Sequence, residues 1–355
     1  MNAPLRQSPP APVIAIVGAT GAVGIALLES LERRQFRVGE LRLLASARSA
    51  GRRVPFRHAL VPVEELTENS FDGVDIAFFS AGAGISREYA PLAVAAGAQV
   101  IDNSSAFRMS DDVPLVVPEA NGASLQDAPR IIANPNCIAA ILTTALAPIH
   151  QRWSITRLNL STYQAASGGG AAMMEELRAG TSASLAGEDF TPKVLPHSYA
   201  FNIFSHNSDI DPETGYNGEE LKVIAETRRI LSQPALPISV TCIRVPILRA
   251  HGIALSVRFD AHITAEQIRG ALQDAPGIRV VDDWAANHFP MPSEASGEED
   301  VLVGRIREDL GDPSGRTITM FIVGDQLLKG AAQNAVQIAE VLIKTHTLRE
   351  STASA

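Results

Sequence analysis

The chain has 355 residues, too long for one typical domain and suited to two, and its 46% hydrophobic content can fill a sizeable core. A formal net charge of −9 without a basic stripe makes a poor nucleic-acid binder. Two cysteines, Cys137 and Cys242, exclude a disulfide scaffold and a cysteine zinc cluster, and no apolar run reaches the length of a bilayer span.

The chain opens with a Pro-rich stretch, Met1 to Pro12, that lacks the apolar core of a signal peptide. The expectation is a cytoplasmic protein with a short disordered lead, a frayed tail from about Leu348, no metal, and no membrane or nucleic-acid partner. Val13 to Val17 (VIAIV) ends in Gly18 and reads as a buried parallel strand. Gly21 to Arg33 carries apolar residues at helical spacing. Strands follow at Leu41 to Leu44 and Ile76 to Phe79, then a helical stretch around Tyr89 to Ala96 and a strand at Gln99 to Ile101. This alternation predicts an α/β fold: a doubly wound, Rossmann-type parallel sheet with helices on both faces. After Asn136 the pattern changes. Leu158 to Thr162, Ser239 to Val245 and Ile253 to Phe259 read as strands of a mixed sheet, Glu219 to Leu231 and Ala265 to Gln273 as helices. The second domain is therefore expected to be α+β. Loops are expected near Asp209 to Gly215 and Pro290 to Asp300. A last helix, Leu327 to Lys344, is expected to pack back on the first domain. The predicted division is 1–136, completed by 327–355, for cofactor binding, and 137–326 for catalysis.

After the first strand comes Gly18-Ala-Thr20-Gly21-Ala22-Val23-Gly24. Glycines let the backbone approach a pyrophosphate, and the helix that follows offers N–H groups and a positive dipole end. An enzyme that uses NAD usually carries an acid at the end of the second strand. Here Ser46, Arg48 and Ser49 stand there instead, a set that suits the 2′-phosphate of NADP. Asn134-Pro135-Asn136-Cys137 then precedes the apolar run Ile138 to Ile149. Asn136 is a good N-cap, so Cys137 sits in a first helical turn, where the dipole favours a thiolate. A thiolate there can form a thioester and exchange hydride with a nicotinamide. Cys242 lies in a strand pattern and reads as a buried structural cysteine.

Several segments resemble the aspartate-semialdehyde dehydrogenase family, in that family's order and over almost the whole chain. They are GATGAVG at Gly18, DNSSAFR at Asp102, VPLVVPEAN at Val113, NPNC at Asn134, STYQAASGGG at Ser161, EELKVIAETRRIL at Glu219, CIRVP at Cys242 and LLKGAA at Leu327. The resemblance implies NADPH-dependent conversion of L-aspartyl-4-phosphate to aspartate 4-semialdehyde with release of phosphate, on the route to lysine, threonine and methionine. It implies a catalytic and dimerisation role for the second domain, and a homodimer or tetramer. By resemblance Cys137 is the nucleophile, His251 the general acid/base, and Gln164 orients the thioester. Arg244 clamps the substrate carboxylate and Glu219 takes its amino group. Arg108, Asn136 and Lys222 hold phosphate, Ser167 and Gly168 bind the cofactor, and Gln326 meets its nicotinamide end.

The residue types suit these tasks, since an arginine fork matches a carboxylate and Arg with Lys suits phosphate. Glu219 and Lys222, three apart on a helix, share a face. Arg244 and His251, seven apart, fall on opposite faces of a straight strand, but Pro246 and Gly252 suggest a break. Two places depart from the family pattern: Ile138-Ala139 replace small hydroxyl residues after the cysteine, and Gly252-Ile253 replace Ser-Glu after the histidine. The alternatives are a related acyl-phosphate reductase such as N-acetyl-glutamyl-phosphate reductase, or an NADP-binding paralogue without catalysis.

Overall fold

The computed structural model describes the backbone of residues 11–353 and the side chains of 11–345. The expected lead, up to residue 10, and the side chains of the expected tail lie outside the described residues. The chain divides into two compact units: one holds residues up to 114, 123–134 and 335 onward, the other 115–122 and 135–334.

In the first unit the strands are β1 (Val13–Val17), β2 (Glu40–Ala45), β3 (Arg53–Phe56), β4 (Ala59–Glu65), β5 (Ile76–Phe79), β6 (Gln99–Asp102) and β7 (Ile131–Ala133). They lie in the order β3-β4-β2-β1-β5-β6-β7, parallel except for the antiparallel β3–β4 pair. Parallel strands are covered on both faces, which is why β1 and β5 are near-continuous apolar runs. From β1 the chain steps to β2 on one side and later to β5 on the other. That reversal opens a crevice at the carboxyl end of β1. Helices α1 (Ala22–Arg33) and α2 (Ala83–Ala95) follow β1 and β5.

The second unit carries α3 (Pro118–Asn121), α4 (Cys137–His150), α5 (Ala171–Ala186), α6 (Gly218–Ile230), α7 (Ala265–Leu272) and α8 (Pro292–Ala295). Its strands are β8 (Ile155–Gln164), β9 (Phe204–Ser205), β10 (Ile238–Arg244), β11 (His251–Phe259), β12 (Ile278–Val280), β13 (Val301–Glu308) and β14 (Thr317–Gly324), in a mixed sheet ordered β12-β13-β14-β11-β8-β10-β9. Helix α4 is apolar almost all round and packs Ile138, Ile141, Leu142 and Ile149 among Val240, Ile253, Leu255 and Val257 of the sheet. Each such fully buried side chain contributes about 1.5–3 kcal/mol, so α4 is the pillar on which Cys137 stands.

Two expectations need correction. The last helix is not α-helical from Leu327: its first turn is a π-turn (Leu328–Ala332) that runs directly into α9 (Gln333–Ala353). Asp325 caps the start of this turn, its carboxylate accepting from the N–H groups of Leu327 and Leu328, and the Gly330 and Ala332 N–H groups each reach back five residues, to the carbonyls of Asp325 and Leu327. Within the expected loop Pro290–Asp300, Pro292 opens the one-turn α8, whose end is closed by the Ser296 N–H on the Pro292 carbonyl.

Candidate active site

Each glycine of the first loop has a separate local reason. Gly18 has φ +86°, and a Cβ there would lie 2.9 Å from the Ser80 main chain. Gly24 passes so close that a Cβ would lie 2.4 Å from the Gly18 carbonyl oxygen. Gly21 is the N-cap of α1 and offers no side-chain cap, so the first N–H groups of that helix have no capping partner. The crevice at this point has a volume of about 580 Å³. Gly18, Thr20 and Gly21 line it on one side, Ser46, Arg48 and Ser49 on another. Ala22 and Val23 form the first turn of α1 beside it. Arg48 is exposed and makes no ion pair or hydrogen bond with the described residues. A pyrophosphate fits the uncapped helix end, and a further phosphate fits the free guanidinium. Ile85 and Tyr89 also line the crevice; sequence reading began this helix only around Tyr89 and so missed its first turns, from Ala83.

The second unit builds its site from hydrogen bonds across long stretches of chain. Asn136 caps α4, its Oδ1 accepting from the N–H groups of Ile138 (2.9 Å) and Ala139 (3.3 Å). Its amide Nδ2 donates to Glu219 Oε1 (2.8 Å), and its main-chain N–H donates to Glu226. Helix α6 therefore grips the cap of α4 with two carboxylates seven residues apart. Asn136, expected to hold phosphate, spends its carbonyl and one amide hydrogen on fixing Cys137. From the other side Gly330 in the π-turn approaches so closely that a Cβ would lie 2.8 Å from that of Cys137. Lys329 anchors this π-turn; it is fully buried and pairs with Glu119 and with Asn334 (2.8 Å).

Gln164 ends β8 and donates to the same Glu219 oxygen (3.2 Å). Burial opposes ionisation of Glu219. The His206 ring, the Asn136 amide, the Lys222 charge and the Gln164 amide outweigh it and hold the carboxyl below its ordinary range. Lys222 is exposed one turn further along α6.

The break suggested by Pro246 and Gly252 separates β10 from β11, which flank β8 on opposite sides. Arg244 and His251 thereby converge. A Cβ on Gly168 would lie 3.0 Å from Arg244 Nη1 and 3.2 Å from His251 Nε2. The Ala165 N–H donates to His251 Nδ1 (3.0 Å), so the neutral ring carries its proton on Nε2. That nitrogen is buried and has no partner among the described residues. Burial, with the Arg244 charge second, pushes His251 down to about 3, which keeps the ring neutral. The Arg244 guanidinium donates to Asn207 Oδ1 (3.2 Å), the Ala165 carbonyl (3.2 Å) and His206 Nε2 (2.7 Å). It meets no carboxylate among the described residues.

Gln326 accepts from the Ala250 N–H (2.9 Å) and donates to Ser167 Oγ. Arg108 belongs to the first unit, where it donates to the carbonyls of Asn134 (2.9 Å) and Asn103 (2.8 Å). Cys242 is buried in β10, and burial pushes its thiol up to about 12, leaving it protonated and inert. Among the described residues no cluster of metal ligands exists, and no helix is long and apolar enough to cross a membrane.

Two family models match the chain: semialdehyde dehydrogenase, NAD binding domain, over residues 13–128, and semialdehyde dehydrogenase, dimerisation domain, over residues 146–329. An aspartate-semialdehyde dehydrogenase of Synechocystis sp. is 46% identical over 336 residues, covering 94% of this chain and 98% of the relative. One from Bacillus subtilis is 44% identical, covering 93% and 97%. The chain belongs to the aspartate-semialdehyde dehydrogenase family. A solved structure of aspartate semialdehyde dehydrogenase II of Vibrio cholerae, complexed with ASA, superposes with a TM-score of 0.90 at 40% identity, covering 94% of this chain and 98% of that one.

Both departures from the family pattern lie in closely packed surroundings. Ile138 and Ala139 are fully buried, and their N–H groups already serve the Asn136 cap. At Gly252 a Cβ would lie 2.9 Å from the Phe321 ring, so the larger ring on β14 takes the space of a side chain on β11. Neither departure removes a polar group from the Glu219–Gln164–His251 cluster. Sequence reading missed Glu226, Gly330 and His206. Gly330 lies in the LLKGAA segment and Glu226 in EELKVIAETRRIL, so of the three His206 alone lies outside the quoted segments.

Proposed function

We propose that this member of the aspartate-semialdehyde dehydrogenase family works through a thioester on Cys137, prefers NADP to NAD, and is a cytoplasmic homodimer or tetramer. The reaction is reductive dephosphorylation of L-aspartyl-4-phosphate to L-aspartate 4-semialdehyde, reversible, in lysine, threonine and methionine biosynthesis. The cofactor domain is assigned to residues 1–136 with 327–355, the catalytic and dimerisation domain to 137–326.

One observation carries the residue assignment. Hydrogen bonds join Asn136 and Gln164 to Glu219, and the next residue after Gln164, Ala165, is hydrogen-bonded to both His251 and Arg244, so one connected unit runs from beside Cys137 to a guanidinium that has no counterion among the described residues. The Cys137 thiolate attacks the acyl carbon of the substrate, phosphate leaves with the electrons of the broken C–O bond, and a thioester remains. The nicotinamide cofactor, when bound, supplies the hydride that reduces this thioester. Gln164 orients the thioester. His251 Nε2–H donates to its carbonyl oxygen as negative charge develops there, and collapse of the adduct returns the thiolate and frees the aldehyde. Arg244 takes the substrate carboxylate and Glu219 its ammonium group. Arg108, Lys222 and the remaining Asn136 amide hydrogen attract phosphate. Thr20, Gly21, Ala22 and Val23 cradle the pyrophosphate, Ser46, Arg48 and Ser49 the 2′-phosphate, and Ser167, Gly168 and Gln326 the nicotinamide end.

The test is phosphate-dependent reduction of NADP with aspartate 4-semialdehyde, beside the glutamate-type semialdehyde one carbon longer. A faster rate with the longer substrate would move the chain's activity to the related acyl-phosphate reductases. A rate independent of phosphate would remove the acyl-phosphate step.

A further inference from the structure

We propose that His206 is a positioning residue for substrate recognition, holding the Arg244 guanidinium and linking it to Glu219 so that the two ends of an α-amino acid are met by one rigid unit. The inference rests on the reading of Arg244 and Glu219 as the carboxylate and ammonium contacts.

The short strand β9 places His206. Phe204 pairs with Arg244 and Ser205 with Ile243 in antiparallel register, and the His206 N–H donates to the Cys242 carbonyl (2.9 Å). This lays the half-buried imidazole against the guanidinium, Nε2 to Nη2, at 2.7 Å. A guanidinium has only donors, so Nε2 must present its lone pair, and the ring proton sits on Nδ1. Nδ1–H donates to Ser208 Oγ (3.1 Å). The Ser208 N–H also approaches Nδ1, at 3.2 Å, but the shorter contact to a cation decides the tautomer. Ser208 Oγ accepts from the Glu219 N–H (3.0 Å) and donates to Asn217 Oδ1 (3.3 Å), the N-cap of α6. The path from Arg244 to the helix turn that carries Glu219 is thus continuous.

The count of donors shows what this achieves. Of the five N–H groups on the guanidinium, Asn207, the Ala165 carbonyl and His206 take three. One remains on each terminal nitrogen, available to a substrate carboxylate. Gly168, with no side chain, leaves the approach to Nη1 open. A carboxylate in place of His206 would orient Arg244 equally well but neutralise it and compete with the substrate. A neutral ring orients without competing. Burial, then the Arg244 charge, push His206 down to about 4, so its lone pair is kept at neutral pH.

Full-length His206→Gln, His206→Asn and His206→Leu are compared with Arg244→Lys in the oxidative assay. The Gln amide reaches the place of Nε2; the Asn amide reaches only that of Nδ1. Leu and Asn are expected to raise KM for aspartate semialdehyde about ten-fold, the size of one lost hydrogen bond to a charge, with kcat within about three-fold. KM for phosphate and the rate of Cys137 alkylation by iodoacetamide should not change, and Gln should stay within about three-fold of wild type. An unchanged KM in the Leu variant overturns the proposal. So does a joint loss of kcat, alkylation rate and thermal midpoint in all three variants, which marks a purely structural histidine. If Leu fails to fold, the Gln and Asn variants decide: equal KM values overturn it. An unchanged KM in Arg244→Lys sinks the clamp reading itself, and it does so with His206 intact, so the two failures are told apart.

Discussion

Two helix starts do the chemistry of this molecule, and they are built in opposite ways. Helix α1 begins at Gly21 with no side-chain cap, so its first N–H groups and its positive dipole end face the crevice. Helix α4 begins at Asn136, whose carbonyl oxygen takes the N–H groups of Ile138 and Ala139, and whose amide is held by Glu219. The first start is left open for an exchangeable anion. The second is closed, because its charged group is covalent: what it must offer is one fixed position for Cys137. Around α1 the atoms that matter are backbone atoms from a run of seven residues. Around α4 they are side chains brought from up to 90 residues away. A ligand site is opened by leaving things out, a nucleophile site by tying things down.

The largest effect expected from breaking this contrast is on the closed side. Cys137→Ser leaves the cap, the core and Gly330's contact in place, so the fold and cofactor binding should persist. Turnover should fall by at least about 10³-fold, because a hydroxyl is not ionised at neutral pH and cannot replace a thiolate. Single-turnover hydride transfer measures it. Rapid alkylation of Cys242 with Cys137 spared would reverse the roles of the two cysteines.

On the open side, Arg48→Ala tests the cofactor preference. The Arg48 guanidinium has no partner among the described residues, so its removal should cost no stability. It should cost about 2 kcal/mol in NADP affinity, the range of a charge-assisted hydrogen bond, and nearly nothing for NAD. Titration calorimetry with both cofactors decides it, and equal losses would end the assignment of Arg48 to a 2′-phosphate.

Asn136→Ala opens the closed start. It removes the cap and one of the two amide donors to Glu219, so the unfolding free energy should drop by about 2 kcal/mol, the upper end of cap deletions. Urea denaturation measures that, and the iodoacetamide rate at Cys137 reads the lost positioning separately. A variant as stable and as reactive as wild type would show that Gly330 and the core alone hold the thiol.

The same contrast explains what the sequence disclosed. Strands β1 and β5 were legible because a parallel strand buried on both faces is a plain apolar run. The glycine loop and the Asn136 cap were legible because their causes are local, within three or four residues. Strands β3 and β4 escaped because at least half of their residues are exposed and they carry Pro55 and Pro62. Helix α5 escaped because it buries only Met173, Glu176, Leu177 and Gly180, too thin a stripe to show a period. The placing of Arg244 beside His251 was visible only as a suspected break at Pro246. Glu226 lies inside the EELKVIAETRRIL segment, but its role did not show, because the contact that matters is to a residue 90 positions away. His206 gave no signal, because its decisive contact is to a residue 38 positions away.

The smallest expected effect is also the most direct test of the difference between the two starts. Gly21→Ser gives α1 the kind of cap that α4 has. The backbone permits it: Gly21 has φ −81°, and a Cβ would meet only the Gly18 carbonyl oxygen, at 3.4 Å. A serine hydroxyl at this position accepts from the N–H two or three residues on, which are N–H groups the pyrophosphate needs. Stability should therefore rise, by only a few tenths of a kcal/mol, since glycine is itself a tolerable cap. NADPH affinity should fall about three- to ten-fold, and NADH affinity by the same factor, because the pyrophosphate is common to both. That equal loss separates it from Arg48→Ala, which discriminates between the cofactors. Thermal unfolding with and without NADPH reads both terms in one experiment, because ligand stabilisation scales with the logarithm of affinity. A variant with unchanged cofactor stabilisation would mean that the free N–H groups of α1 do not bind the pyrophosphate. The absence of a cap there would then be a consequence of the tight turn at Gly18 and Gly24, not of the ligand.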